Sequence, residues 1–328
     1  MKITVLGAGY MGTAMAVVAQ QRGHDVRLWG TWLDDDLLEA CERKAPHPRL
    51  KLVVDLPTYR SARLSEALAG AELVIHGVNS DGAVPVMTRA APALPDVPIL
   101  SVSKGFLESG SGRMDRLDLV VSEKVGRPLR FVHAAGPAKA MEIARGVLTW
   151  MTFAGPDAVV CRDAMNGGHM HIGVTDDLAG AEACSALKNA YATGLGLWDG
   201  LVGVDAHNAR AACFTQSIVE MRAIVHAAGG RDETVYGSPG VGDLHVTGAG
   251  GRNRAFGERV GRGQRASVVA AEMAAENLLT EGYAAIATAH RFARERGVTG
   301  TPLLDALHAI VWQDAPVRET LAELRLSV

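Results

Sequence analysis

The sequence predicts an α/β protein, with a doubly wound parallel sheet in its first part and an all-α second part. Three observations carry that expectation. Short apolar runs suited to buried strands alternate with helical stretches up to about residue 105. A glycine cluster marks the turn of the first alternation. From about Ala179 strand-like runs fade and Ala-rich helical segments dominate. The expected division is 1–178 and 179–328.

The bulk properties bound the function. The chain has 328 residues, 48 % hydrophobic and 21 % charged, which is globular composition with ample material for a core. Lys and Arg number 33 against 36 Asp and Glu, a net charge of −3. That balance argues against a nucleic-acid binder, so any phosphate site must be local. Cys41, Cys161, Cys184 and Cys213 form no CxxC pair. They read as reduced, mostly buried thiols, which suits the cytoplasm. The opening MKITVLGAGYMG has no basic region or cleavage site of a signal peptide, and no apolar run is long enough to span a membrane.

Residues 3–6 are a short apolar strand, 11–22 a helix and 26–29 a second strand. Gly7, Gly9 and Gly12 between the first two form GxGxxG. Gly7 permits the tight turn, Gly9 lets a pyrophosphate approach the backbone, and Gly12 lets helix and strand pack closely. The helix N-terminus then faces the phosphate with its amides and positive dipole. The motif follows a strand and opens a helix, which favours a Rossmann-type dinucleotide site over a bare βα turn. No acid stands at the end of the second strand, at Trp29, Gly30 and Thr31; Asp34, Asp35 and Asp36 come later, so NAD and NADP are both allowed.

Further strands fall in 71–78 and 97–105, with a helical stretch at 64–70. Lys104 lies just past a strand's carboxyl end, the edge where open α/β sheets bind ligands. It is a candidate cation for a substrate oxyanion or phosphate, or an exposed loop lysine. In 133–146 a Gly-Pro turn precedes a helix, and the backbone from Gly136 to Ala140 is a second candidate anion or cofactor contact.

Helices are expected at 180–197, 206–229, 266–276, 281–296 and 302–312, apolar on more than one face as in a bundle or a dimer interface. Lys188 sits in 185–203 among Ala, Leu and Gly with almost no other charge. Desolvation there lowers a lysine's pKa toward the range of proton exchange, although a packed stem with a surface amine also fits. Residues 236–263 read as a glycine-rich loop carrying Asp243, Thr247, Arg252, Asn253 and Arg254. Two arginines before a helix make a phosphate receptor or a solvated loop. His169 and His171 have no carboxylate or cysteine cluster beside them, so no metal site is expected. His76, His207 and His245 read as structural or exposed.

Blocks 7–16, 101–105, 136–144, 185–201 (SALKNAYATGLGLWDGL), 208–212, 240–257 (GVGDLHVTGAGGRNRAFG) and 280–285 occur in this order. Together they resemble the NAD(P)-dependent glycerol-3-phosphate dehydrogenase family over nearly the whole chain. The resemblance implies reversible hydride transfer between a nicotinamide, NAD or NADP, and C2 of a short polyol phosphate, glycerol 3-phosphate or dihydroxyacetone phosphate. It implies Lys188 as general acid and base, Lys104 as a second substrate lysine, and Asn189, Asp243 and Thr247 as orienting groups. Gly136 is implied at the substrate, and Arg252 and Asn253 as its phosphate clamp. Cofactor contacts are implied at Gly7, Gly9, Tyr10, Met11, Gly12, Lys104, Ala140, Arg252, Leu279 and Glu281, and a homodimer for the assembly. The chain departs from the family pattern at Asn79-Ser80, at Ala138 and Lys139, at Thr215-Gln216-Ser217 and at Gly251. A different polyol phosphate, a non-phosphorylated keto acid, and a nucleotide-binding protein without turnover are therefore competing expectations.

Overall fold

The computed structural model describes residues 1–203, 205–276 and 278–325. The elements run in order β1 Lys2–Leu6, α1 Tyr10–Gln21, β2 Asp25–Trp29, α2 Asp35–Glu42, β3 Thr58–Tyr59, α3 Leu64–Leu68, β4 Leu73–His76, α4 Ser80–Ala90 and β5 Ile99–Ser101. Then come β6 Phe106–Glu108, β7 Met114–Arg116, α5 Leu117–Val125, β8 Phe131–Ala135, α6 Ala140–Ala144, β9 Thr149–Ala154, α7 Ala158–Met165 and β10 Met170–Thr175. The remainder is helical: α8 Leu178–Val202, α9 His207–Ala227, α10 Asp232–Tyr236, a π-helical turn Ser238–Gly242, α11 Asp243–Gly248, α12 Arg252–Gly261, α13 Ala266–Ala275, α14 Glu281–Glu295, α15 Pro302–Trp312 and α16 Val317–Ala322. The α/β-then-α expectation holds. The chain forms two compact units, Met1–Lys104 with Leu117–Leu178, and Gly105–Arg116 with Ala179–Val328. The β6–β7 hairpin thus groups with the helices.

The first unit is an eight-stranded sheet in the order β10-β9-β8-β5-β4-β1-β2-β3. Neighbours are parallel except β8 and β9, so β9 and β10 run against the rest. The central strands β1, β4, β5 and β8 are buried because helices cover them, whereas β9 and β10 carry exposed residues. The chain runs outward from β1 to β2 and β3, then returns to β4 on the other side of β1. The gap past the carboxyl ends of β1 and β4 is therefore the topological switch point, where such sheets take ligands.

The second unit is built around α8. Ala and Leu favour this helix locally. Every residue from Ala179 to Leu197 is buried, as expected of a helix apolar all round. α8 meets α12 through glycines. A Cβ on Gly196 or Gly200 would lie within 3.0 Å of the Arg254 or Glu258 backbone. One on Gly257 or Gly261 would lie equally close to the Thr193 or Leu197 backbone. The stretch 236–263, read from its glycines as a loop, is thus mostly helix; Gly257 and Gly261 serve close helix packing, while Gly251 and Gly263 keep the positive φ of a turn. A third helix is anchored by a buried carboxylate. Glu220 accepts the Leu303 and Leu304 amides at the start of α15 at 2.6 and 2.9 Å, and the Tyr191 hydroxyl at 3.1 Å. Burial raises its pKa against the donors that favour its charge.

Gly257→Ala is expected to lose about 1–3 kcal/mol in urea unfolding from overpacking, despite alanine's higher helix propensity. Gly250→Ala, with open space around its Cβ position, is the control and should unfold like the parent. Equal midpoints for the two variants would remove the case for the crossing.

Candidate active site

The glycine turn lies at the switch point of the first unit. Gly7 has φ +111°, a conformation that side chains rarely adopt, and a Cβ there would press on Val78. Gly12 and Gly77, the residue after β4, exclude any Cβ from each other's backbone. α1 therefore starts directly against the carboxyl ends of β1 and β4. Gly9 caps α1 with no side-chain partner, so the first amides of the helix lack intrahelical acceptors. A Cβ on Gly9 would sit 3.3 Å from Arg49 Nη1, filling the space over that turn. This small-residue cradle at a helix N-terminus fits a dinucleotide phosphate. Met11 is partly buried against the sheet core, and Tyr10 is 39 % exposed.

Lys104 follows β5 by three residues and is half-buried. The loop leading to it is held from below. His76 Nδ1 lies 3.1 Å from both Ser101 Oγ and Ser103 Oγ, and Ser103 donates to the Val78 carbonyl at 2.6 Å. Burial drives the His76 pKa down to about 4, so this ring is a neutral hydrogen-bonding strut. Gly136 turns the chain after β8 with φ +117°, and Ala140 opens the short helix α6.

Lys188 is buried in α8, as its surroundings in sequence suggest, but it is not the solitary charge that they suggest. Its Nζ donates to Asp243 Oδ1 and, at 3.1 Å, to Thr247 Oγ1. Asp243 is fully buried at the start of α11, one turn before Thr247. The carboxylate offsets the cost of burying the ammonium, so two opposed effects act on Lys188 where the sequence showed one. The next residue, Asn189, donates to Glu281 Oε2 at 2.6 Å and accepts from Asn253 Nδ2 at 2.9 Å. Asn253 Oδ1 takes the Gly282 amide at 2.9 Å. One amide chain thus joins α8, α12 and the first turn of α14. Leu279, just before α14, is exposed.

The Arg-Asn-Arg triplet does not precede its helix; Arg252 is the first residue of α12. Nor do both arginines form one receptor. Arg254 pairs with Asp199 at 2.6 Å and donates to the Ala249 carbonyl at 2.8 Å. Asp199 also holds Arg210. A cavity of about 340 Å³ beside this cluster is lined by Asp199, Arg210, Gly251 and Arg254, among others, and by neither Lys188 nor Arg252. No group of three or more His, Cys, Asp and Glu residues could hold a metal among the described residues. No described helix is long and apolar enough to cross a membrane.

Models of the N- and C-terminal domains of NAD-dependent glycerol-3-phosphate dehydrogenase match residues 2–161 and 177–322. The chain is 33 % identical to the NADP+-dependent glycerol-3-phosphate dehydrogenase of Archaeoglobus fulgidus, covering 99 % of both chains. It is 35 % identical to the glycerol-3-phosphate dehydrogenase [NAD(P)+] of Thiobacillus denitrificans, over 99 % of this chain and 97 % of that one. A crystal structure of glycerol-3-phosphate dehydrogenase from Coxiella burnetii superposes with a TM-score of 0.86 at 29 % identity, covering 98 % of each chain. The chain belongs to the NAD-dependent glycerol-3-phosphate dehydrogenase family. It is an NAD(P)-dependent oxidoreductase.

Several departures from the family pattern have local structural duties. Asn79 caps α4 by accepting the Gly82 amide at 3.0 Å. Gln216 donates to Glu220 at 2.9 Å, and Thr215 and Ser217 bond back to carbonyls of their own helix. Ala138 packs against the sheet core. The cation gained at Lys139 is half-exposed, 3.9 Å from Glu142. Gly251 has φ +116° and ψ −176°, a region essentially reserved for glycine.

Two groups at the glycine turn escaped the sequence reading. Arg49 and His47 lie in 47–50, His-Pro-Arg-Leu, after α2. No motif marks them; the one signal was a His-Pro pair leaving a helix. Asp34, read as merely displaced, is 7 % exposed and accepts the Ala8 and Thr31 amides.

Restoring the family serine with Gly251→Ser should destabilise the protein by about 1–3 kcal/mol, seen as an earlier thermal transition, because serine is strained at that φ. An unchanged transition would show that the backbone here relaxes freely.

Proposed function

We propose that the protein interconverts dihydroxyacetone phosphate and glycerol 3-phosphate, with Lys188 as the group that moves the proton. The observation that carries this reading is the cluster of buried Lys188 and Asp243 with the half-buried Thr247. A lysine whose amine is bonded to a buried carboxylate and a hydroxyl is a donor of fixed position. The nicotinamide, NAD or NADP, supplies or accepts the hydride at C2. Lys188 gives its proton to the C2 oxygen on reduction and takes it back on oxidation, while its charge stabilises the developing alkoxide. Asp243 and Thr247 aim the amine. Asn189, fixed by Glu281 and Asn253, keeps the adjacent turn of α8 in register.

Arg252 is the proposed phosphate ligand, assisted by the α12 N-terminus. Asn253, whose amide is bonded to Asn189 and Gly282, serves the phosphate through its backbone N–H. Lys104, with Gly136, is assigned to the substrate as a second cation, and the glycine turn with Ala140 to the cofactor; the resemblance adds Leu279 and Glu281 there. The division is then a cofactor unit and a substrate unit, and the relatives' names, which print both NAD+ and NADP+, support the cofactor class. A homodimer and a cytoplasmic location complete the reading; the second is supported by four buried free cysteines. Burial pushes the thiol pKa to about 11 in Cys41 and about 12 in Cys161 and Cys213, which makes these unreactive thiols.

Lys188→Ala should lower kcat about 10²–10⁴-fold in dihydroxyacetone phosphate reduction, with cofactor binding unchanged. Retained turnover would end the assignment. Arg252→Ala should raise KM for the phosphorylated substrate about tenfold or more, while a non-phosphorylated ketone is little affected. A panel of short ketose phosphates run beside it reads substrate choice directly.

A further inference from the structure

His47 holds Arg49 against the glycine turn. Its ring is fully buried, with Nε2 3.0 Å from the Ala8 carbonyl oxygen. Nδ1 receives the backbone N–H groups of Arg49 and Leu50 at 3.3 and 3.2 Å. With two donors facing it, Nδ1 carries no proton. The proton is on Nε2, donated to Ala8, and the ring is neutral; burial lowers its pKa in the same sense. Arg49 is therefore tied through one rigid ring to the residue preceding Gly9.

The guanidinium itself is exposed and lies over the motif. Nη1 is 3.3 Å from the Cβ position of Gly9, and the group stands 5.7 Å from the Tyr10 ring centroid. No ion pair among the described residues engages it. Packing on Tyr10 orients it while leaving its donors for a ligand.

The first acid after β2, Asp34, is held by the protein through one carboxylate oxygen. Asp34 Oδ2 accepts Ala8 N at 3.3 Å, and Thr31 N and Thr31 Oγ1 at 2.9 Å each. In dinucleotide-binding sheets a carboxylate after the second strand holds the ribose hydroxyls of NAD, and an arginine nearby accommodates the 2′-phosphate of NADP. Here Asp34 Oδ2 is engaged with the protein, and Arg49, in no ion pair among the described residues, stands over the glycine turn. We propose that Arg49 binds the 2′-phosphate of the cofactor and that the protein selects NADP(H) over NAD(H). The assignment rests on the dehydrogenase reading above. The competing role for this cation, the pyrophosphate, is common to both cofactors and would confer no selection.

Equilibrium binding separates these outcomes without recourse to turnover. NADPH and NADH are titrated into the parent and into Arg49→Met by calorimetry, with 2′-AMP and 5′-AMP as competitors. Arg49 is exposed, so the variant should fold, as circular dichroism will verify. The parent should bind NADPH about tenfold or more tightly than NADH, and 2′-AMP should compete better than 5′-AMP. Arg49→Met should weaken NADPH about tenfold or more and leave NADH within about threefold. Equal losses for both cofactors would move Arg49 to the pyrophosphate and overturn the proposal. So would a parent that prefers NADH, or a variant that keeps the parent's ratio. A parent that binds neither cofactor would defeat the dehydrogenase reading itself, a result distinct from all of these.

Discussion

Two helices that touch backbone to backbone set the geometry of the second unit. Gly196 and Gly200 on α8 face Gly257 and Gly261 on α12, and none has room for a side chain. Asn189 lies two turns before Gly196, and Asn253 one turn before Gly257. The crossing brings those two amides within 2.9 Å and allows Asn253 to receive the start of α14. A side chain at any of the four glycines would separate the helices and with them the groups around Lys188. Such contacts are individually weak and effective only in close packing.

The second unit also carries charges that stability alone does not favour. The Lys188–Asp243 pair is buried, where desolvation offsets much of the ionic attraction. Glu220 is buried as well, but its partners explain it: it caps α15 and ties that helix to α8 and α9. Lys188 caps no helix end in its bonds to Asp243 and Thr247. A buried ion pair adds little to stability by itself, and charges placed at such a cost are enriched at functional sites.

Legibility in the sequence followed locality. The βαβ unit with Gly7, Gly9 and Gly12 was readable because its signals lie within thirty residues and each glycine answers a local backbone demand. The long helices were readable from composition. The stretch 236–263 was misread because glycine serves both turns and close helix packing, and the difference lies in a partner helix some sixty residues away. Arg254 was grouped with Arg252 by adjacency, yet successive residues on a helix point apart, and Asp199 took it.

By itself the sequence determined the α/β-then-α order, the glycine turn, the family and the burial of Lys188. These depend on short-range pattern and residue type. Only the tertiary structure decided the partners: Asp243 for Lys188, Asp199 for Arg254, the backbone of Ala8 and Thr31 for Asp34, and His47 as the strut behind Arg49. A charge acts according to what stands within a few ångströms of it, and chain distance does not encode that separation.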